Sequence, residues 1–198
     1  MINVITNELP SAVVVGGSSL PINTDFRTSI QVQELIESDL PPDLVGMGVV
    51  MHYFGNPDLL PADIVSEHLD GLIAAAMEFA RMDEFAELTR SRKGSKTRTF
   101  DWCADQRRLV ADFQREYGID LTDADTELHW WRFMMLFEGL SDKSATMTAI
   151  GYRTLDIPPK APDEERKRLR EMKNIYQLPP RTKAEVLARD AAIWGDEI

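Results

Sequence analysis

The chain of 198 residues holds one cysteine, Cys103, so it can form no internal disulfide and nothing ties it to an oxidising compartment. Histidine is nearly as scarce. His52, His68 and His129 fall in separate helical stretches, none with a second histidine or cysteine three or four residues on, which argues against zinc. Positive charge is also in deficit: 22 Lys and Arg stand against 33 Asp and Glu, giving a net charge of -11 and a pI near 4.7. Phosphate backbones select the opposite balance, so nucleic acid is not an expected partner. No apolar run approaches the roughly twenty residues that span a bilayer. The opening MINVITNELPSAVVVGGSSLP has neither the basic start nor the long apolar stretch of a secretory signal. A soluble protein of the cytoplasm is expected, with no membrane partner.

The motifs of catalysis and ligand binding are incomplete. Gly16-Gly17 lacks the third glycine and the lysine of a phosphate loop, and the GSKT at 94–97 lacks the glycine that must directly precede the lysine. Asp120, Asp123, Asp125 and Glu127 cluster like a calcium loop. However, the glycine after the third ligand is missing, and Met134 stands where a bidentate glutamate is needed, so these acids read as helix-start charges. No serine sits in a nucleophile elbow, and no paired carboxylates have a sequence reason to be buried. Cys103 falls on an apolar helix face with no histidine nearby in sequence to lower its pKa, and is expected to be buried and inert. The expectation is a protein that is not an enzyme and holds no cofactor or metal.

What the chain does have is apolar content, 43%, at helical spacing. AVVV, GGSS and LPIN predict a small β-hairpin, with Pro21 confining its second strand to an edge. Helices are then expected from Asn23 or Thr24 to Ser38, from Pro41-Pro42 to Phe54, and from Asp63 to about Met82. TRSRKGSKTR lies in a basic, solvated linker near 86–99. Phe100 to Tyr117 resumes the pattern, with Trp102, Cys103, Leu109, Val110, Phe113 and Tyr117 on one side, and Gly118 closes it. ELHWWRFMMLFEGL leaves only narrow polar strips, so the helix expected over 123–138, about 24 Å long, has to be covered from more than one direction. It reads as the central core helix, opened by Thr122 and Asp125. Arg132 within it has to snorkel or meet an acid, and an ion pair with another helix is expected. Ser141 can start a further helix to Tyr152, and DEERKRLREMKNIY suits an exposed helix with Asp163–Lys167 and Glu164–Arg168 pairs.

After Pro179-Pro180 a last helix carries only the narrow stripe Val186, Leu187, Ala191 and Trp194, the candidate partner-binding surface. The fold class expected is mainly α: a compact helical domain with a small N-terminal β-hairpin and a helical C-terminal extension. The hairpin, 1–22, packs on a helical core domain, 23–157, followed by charged C-terminal helices, 158–198. The structural core is expected to hold Trp102, Phe113, Tyr117, Trp130, Trp131 and Phe137.

INTDFRTSIQ after a short hairpin, FDWCADQRRLVADFQREYGIDL, LHWWRFMMLFEGL followed by IGYRTLDIP, and DEERKRLREMKNIYQL, in that order over about 12–178, resemble the bacteriophage gene-product-fifteen family. The last helix has no match, and the basic linker looks like an insertion. The resemblance implies a phage or prophage tail-morphogenesis protein acting in the host cytoplasm without catalytic residues. It implies a tail assembly chaperone that coats the aggregation-prone tape measure protein, helps tail tube subunits assemble around it, and leaves before the virion matures. The tail tube protein and self-association are further possible partners. The alternative is a permanent component of the tail or the head–tail junction.

Overall fold

Val13, Val15 and Leu20 need cover on one side only, and a two-residue turn gives it to them. Strand β1, Ala12–Val15, pairs antiparallel with β2, Ser18–Pro21, with Val15 opposite Ser18. Gly16 and Gly17 between them sit at φ +56° and +82°, as a tight turn with two left-handed positions requires. A computed structural model describes residues 3–57, 60–82 and 98–181. The fold is mainly α with this one small hairpin.

The helices are α1 (Phe26–Ile36), α2 (Pro42–Phe54), α3 (Ala62–Glu67), α4 (Leu69–Arg81), α5 (Trp102–Tyr117), α6 (Trp130–Glu138), α7 (Ala145–Thr154) and α8 (Asp163–Tyr176). They gather in two compact units that alternate along the chain: Met1–Gly94 with Asp125–Gly139, and Ser95–Ala124 with Leu140–Ile198. The division does not follow the expected boundaries after 22 and 157, because the chain leaves the first unit and then returns to it with α6. Most of the expected linker, and the last helix with Val186, Leu187, Ala191 and Trp194, lie outside the described residues.

In the first unit the hairpin packs on the helices. Val15 and Leu20 share a buried cluster with Val50 of α2, Ile64 of α3 and Leu72 of α4. The single helix expected over 63–82 is broken at His68, which leaves helical geometry at φ −130°, ψ 20°. The hairpin turn packs there: a Cβ on Gly16 would lie 2.6 Å from the His68 ring. Contact with the turn overrides a helical pattern that is continuous in sequence. α1 and α2 also approach closely, since a Cβ on Gly48 would meet Leu35 at 2.5 Å.

The helix expected over 123–138 begins only at Trp130. Residues 128–130 run extended beside the start of α1 instead. Phe26 N–H donates to the Leu128 carbonyl at 3.1 Å, and Trp130 N–H to the Thr24 carbonyl at 2.7 Å. Backbone groups that a longer helix would have used are thus committed elsewhere. Thr122 does not cap α6; its N–H and hydroxyl both donate to Asp120. The cap of α1 is Asp25 rather than Asn23 or Thr24, and its carboxylate accepts from Arg27 N–H at 2.7 Å.

In the second unit Asp101 caps α5, accepting from Ala104 N–H. Gly118, at φ +68°, lets its own N–H and that of Ile119 return to the carbonyls of Gln114 and Phe113. α7 starts three residues later than expected, capped by Ser144, because the Ser141 N–H and hydroxyl are held by the Glu116 carboxylate. α8 has no buried residue, and its first turn pairs Asp163 with Arg166.

Candidate functional site

The strongest polar arrangement lies in the second unit, and the sequence reading missed it. α5 was expected to bury the side that holds Trp102, Cys103, Leu109, Val110, Phe113 and Tyr117, and of these only Leu109 and Phe113 are fully buried. The helix buries Asp101, Asp105, Leu109, Asp112 and Phe113, while Trp102 and Tyr117 are half-buried and Cys103 is exposed. Positions 101, 105, 109, 112 and 113 do share one helical face, and Cys103 lies about 200° from Asp101 at 100° per residue. The legible signal was the 101–105–112 spacing of carboxylates in phase with Leu109 and Phe113. Acids are seldom buried, so apolar side chains are the stronger sequence signal for an inward face.

Each of these carboxylates has partners. Arg153 of α7, its side chain 6% exposed, grips fully buried Asp105 with both ends of its guanidinium, Nη1 to Oδ2 at 2.6 Å and Nη2 to Oδ1 at 2.8 Å. Arg108 Nη1 adds a bond to Oδ1 at 2.9 Å, and Asp101 N–H donates to Oδ2 at 3.1 Å. The same arginine donates to the carbonyls of Tyr176 and Thr99 at 2.6 and 2.9 Å. One side chain therefore fastens α5, α7, the end of α8 and the segment before α5. Arg98 and Arg181 pair with Asp101, the latter at 2.8 Å.

Burial pushes the Asp101 carboxyl up, but the Ala104 N–H together with Arg181 and Arg98 outweighs it and holds the group below its ordinary value. Asp112 behaves alike: burial raises it, and bonds from Thr146, Ala145 and Arg115 lower it further. It accepts the Ala145 and Thr146 N–H groups at 3.0 and 2.7 Å, setting a negative charge on the positive end of α7. Carboxylates so held are poor proton acceptors at neutral pH, and the arrangement clamps helices.

In the first unit, His129 does not lie inside the helix expected over 123–138. It caps α6. Its Nδ1 accepts the Trp131 N–H at 3.0 Å, and its Nε2 lies 2.9 Å from the Pro10 carbonyl, which requires the neutral ring with the proton on Nε2. Burial, against the Pro10 bond, lowers its pKa. The two tryptophans that follow are buried, their indole N–H groups donating to the carbonyls of Ala80 at 2.9 Å and Phe79 at 3.0 Å. Trp130 stacks on Phe133, which stacks on Phe26, and Trp131 stacks on Phe79. Phe137, at the far end of the helix, is half-buried. Arg132 is exposed, and no ion pair to it forms among the described residues. Buried Tyr53 donates to Ser29 Oγ at 3.0 Å, and burial pushes its phenol up to about 12.

Among the described residues no three His, Cys, Asp or Glu side chains converge to hold a metal ion. Among the described residues no helix is long and apolar enough to cross a membrane. What the first unit does present is apolar surface on α2, where Leu44, Met47 and Met51 are exposed.

A family model described as "Bacteriophage Gp15 protein" matches residues 5–178. No curated protein and no solved structure matches the chain.

Proposed function

The chain belongs to the bacteriophage Gp15 protein family, which indicates a phage structural or morphogenesis protein, and from that premise we propose that it is a non-catalytic tail assembly chaperone. Its client is the tape measure protein of its own phage, and it assists assembly of the tail tube in the host cytoplasm. The observation that carries the reading is the family match over 5–178. Two features support it. The buried carboxylates are committed to clamping helices, and a net charge of -11 keeps a complex with an apolar client soluble.

Apolar helical stripes drive a long client to aggregate, and covering them removes that surface. The stripe Val186, Leu187, Ala191 and Trp194 is a proposed contact with the client. Co-expression with the tape measure protein, followed by pull-down and mass spectrometry of mature virions, tests the reading. The expected result is co-purification, a raised soluble yield of the client, and absence from virions. Truncation after residue 181 is expected to weaken the complex; the cut spares Arg181 because that side chain pairs with Asp101. No co-purification, together with stoichiometric presence in virions, would favour a permanent component of the tail or head–tail junction.

A further inference from the structure

We propose that the outer face of α2 is a docking site for an amphipathic helix of another protein, one whose apolar stripe is bordered by lysine and arginine. Leu44, Met47 and Met51 are 54%, 39% and 54% exposed, and Leu40, in the bend just ahead of the helix, is 48% exposed. The opposite side of α2 is already used, with Gly46, Val49, Val50 and Tyr53 buried in their own unit. The helix is thus apolar on two sides and covered on one. Single exposed apolar residues are ordinary, but three at spacings of three and four residues form the seam that one helix presents to another. Methionine at two of the positions suits such a seam, because its flexible thioether adapts to the surface it meets.

Charge selects the occupant. Between Arg27 and Arg81 the sequence has nine acidic residues and no lysine or arginine, while the remainder holds 24 acids against 22 bases. Nine of the eleven net negative charges therefore belong to the stretch that contains α2. Asp39 and Asp43 are exposed and flank the start of α2 in sequence, Asp43 directly before Leu44. A second copy of the chain would set this acidic surface against itself. Four side chains also fall short of the roughly 800 Å² per partner that a standard stable interface buries. An anionic lipid surface or a nucleic acid is repelled for the same reason. A helix with three or four apolar anchors and a basic rim meets both the seam and its border. The inference stands on this surface alone and does not rest on the tape measure protein being the client.

The test uses the full chain and a fluorescein-labelled helical peptide with leucines at 3–4 spacing and lysines on both rims. Controls are the same peptide with glutamate rims and a scrambled peptide of identical composition. Fluorescence anisotropy is expected to show the stripe peptide binding about tenfold or more tighter than either control. Leu44→Ser, Met47→Ser and Met51→Ser combined are expected to weaken it by about tenfold or more, as loss of apolar contacts at a small seam requires. Met51→Lys alone, which leaves most of the seam and opposes the basic rim, is expected to lower affinity in the same direction. Circular dichroism confirms that each variant is folded. Equal binding of the scrambled peptide would show charge alone at work, and undiminished binding by both variants would place the site elsewhere. A wild-type dimer in sedimentation velocity that the triple variant turns into a monomer would make a second copy the occupant. Any of these three results overturns the proposal.

Discussion

Arg153→Ala is the most informative single change in the second unit. It removes a side chain that is 6% exposed and makes two bonds to Asp105 and one each to the carbonyls of Thr99 and Tyr176. Asp105 would keep the Asp101 N–H and Arg108, whose side chain is 34% exposed and weaker as a counter-charge. Breaking a buried ion pair from one side costs about 3–5 kcal/mol, chiefly because a buried charge is left uncompensated. For a chain of this length each kcal/mol lowers Tm by about 2–4 °C, so a drop of about 6–20 °C is expected. Arg153→Lys recovers little, since an ammonium cannot reproduce the two parallel bonds of the fork. Arg153→Met combined with Asp105→Leu is expected to melt above Arg153→Ala, because no unpaired charge remains inside. Thermal denaturation followed by circular dichroism reads all three. A Tm for Arg153→Ala within about 2 °C of wild type would refute the reasoning, showing that the clamp contributes little to holding α5, α7 and the end of α8 together.

Two further outcomes follow from the first unit. Trp130→Ala and Trp131→Ala each remove a side chain that is at most 2% exposed, and each is expected to cost about 3–5 kcal/mol in denaturant unfolding; a double variant as stable as wild type would show that the tryptophans are not core. His129 has a folded pKa below its ordinary 6.5, so its contribution is fully present above pH 6.5 and is lost as pH falls from there through the folded value. Unfolding free energies measured at intervals from pH 8 to pH 5 should therefore decline below pH 6.5, and His129→Asn, which can still cap but does not titrate, should flatten that part of the curve.

The sequence by itself determined whatever depends on local chemistry. The hairpin followed from two glycines between apolar strands, because only glycine occupies two successive left-handed positions freely. The end of α5 followed from Gly118, and α8 from an acidic first turn on a self-supporting helix. The motif succession that resembles the phage family was legible too, since it is a property of order and composition.

Tertiary structure decided everything that depends on which surfaces meet. The break at His68 comes from the hairpin turn above it, and the late start of α6 from its pairing with Thr24 and Phe26, about a hundred residues away in the chain. Which face of α5 turns inward was settled by Arg153, which makes the burial of Asp105 affordable by giving it a buried counter-charge from another helix. α2 shows the same limit from outside. Its apolar residues surround the helix almost evenly in sequence, so periodicity could not tell the side that packs on α1 and α4 from the side left open. Only the positions of the neighbouring helices separate them, because a residue's exposure is fixed by what stands across from it rather than by its own side chain.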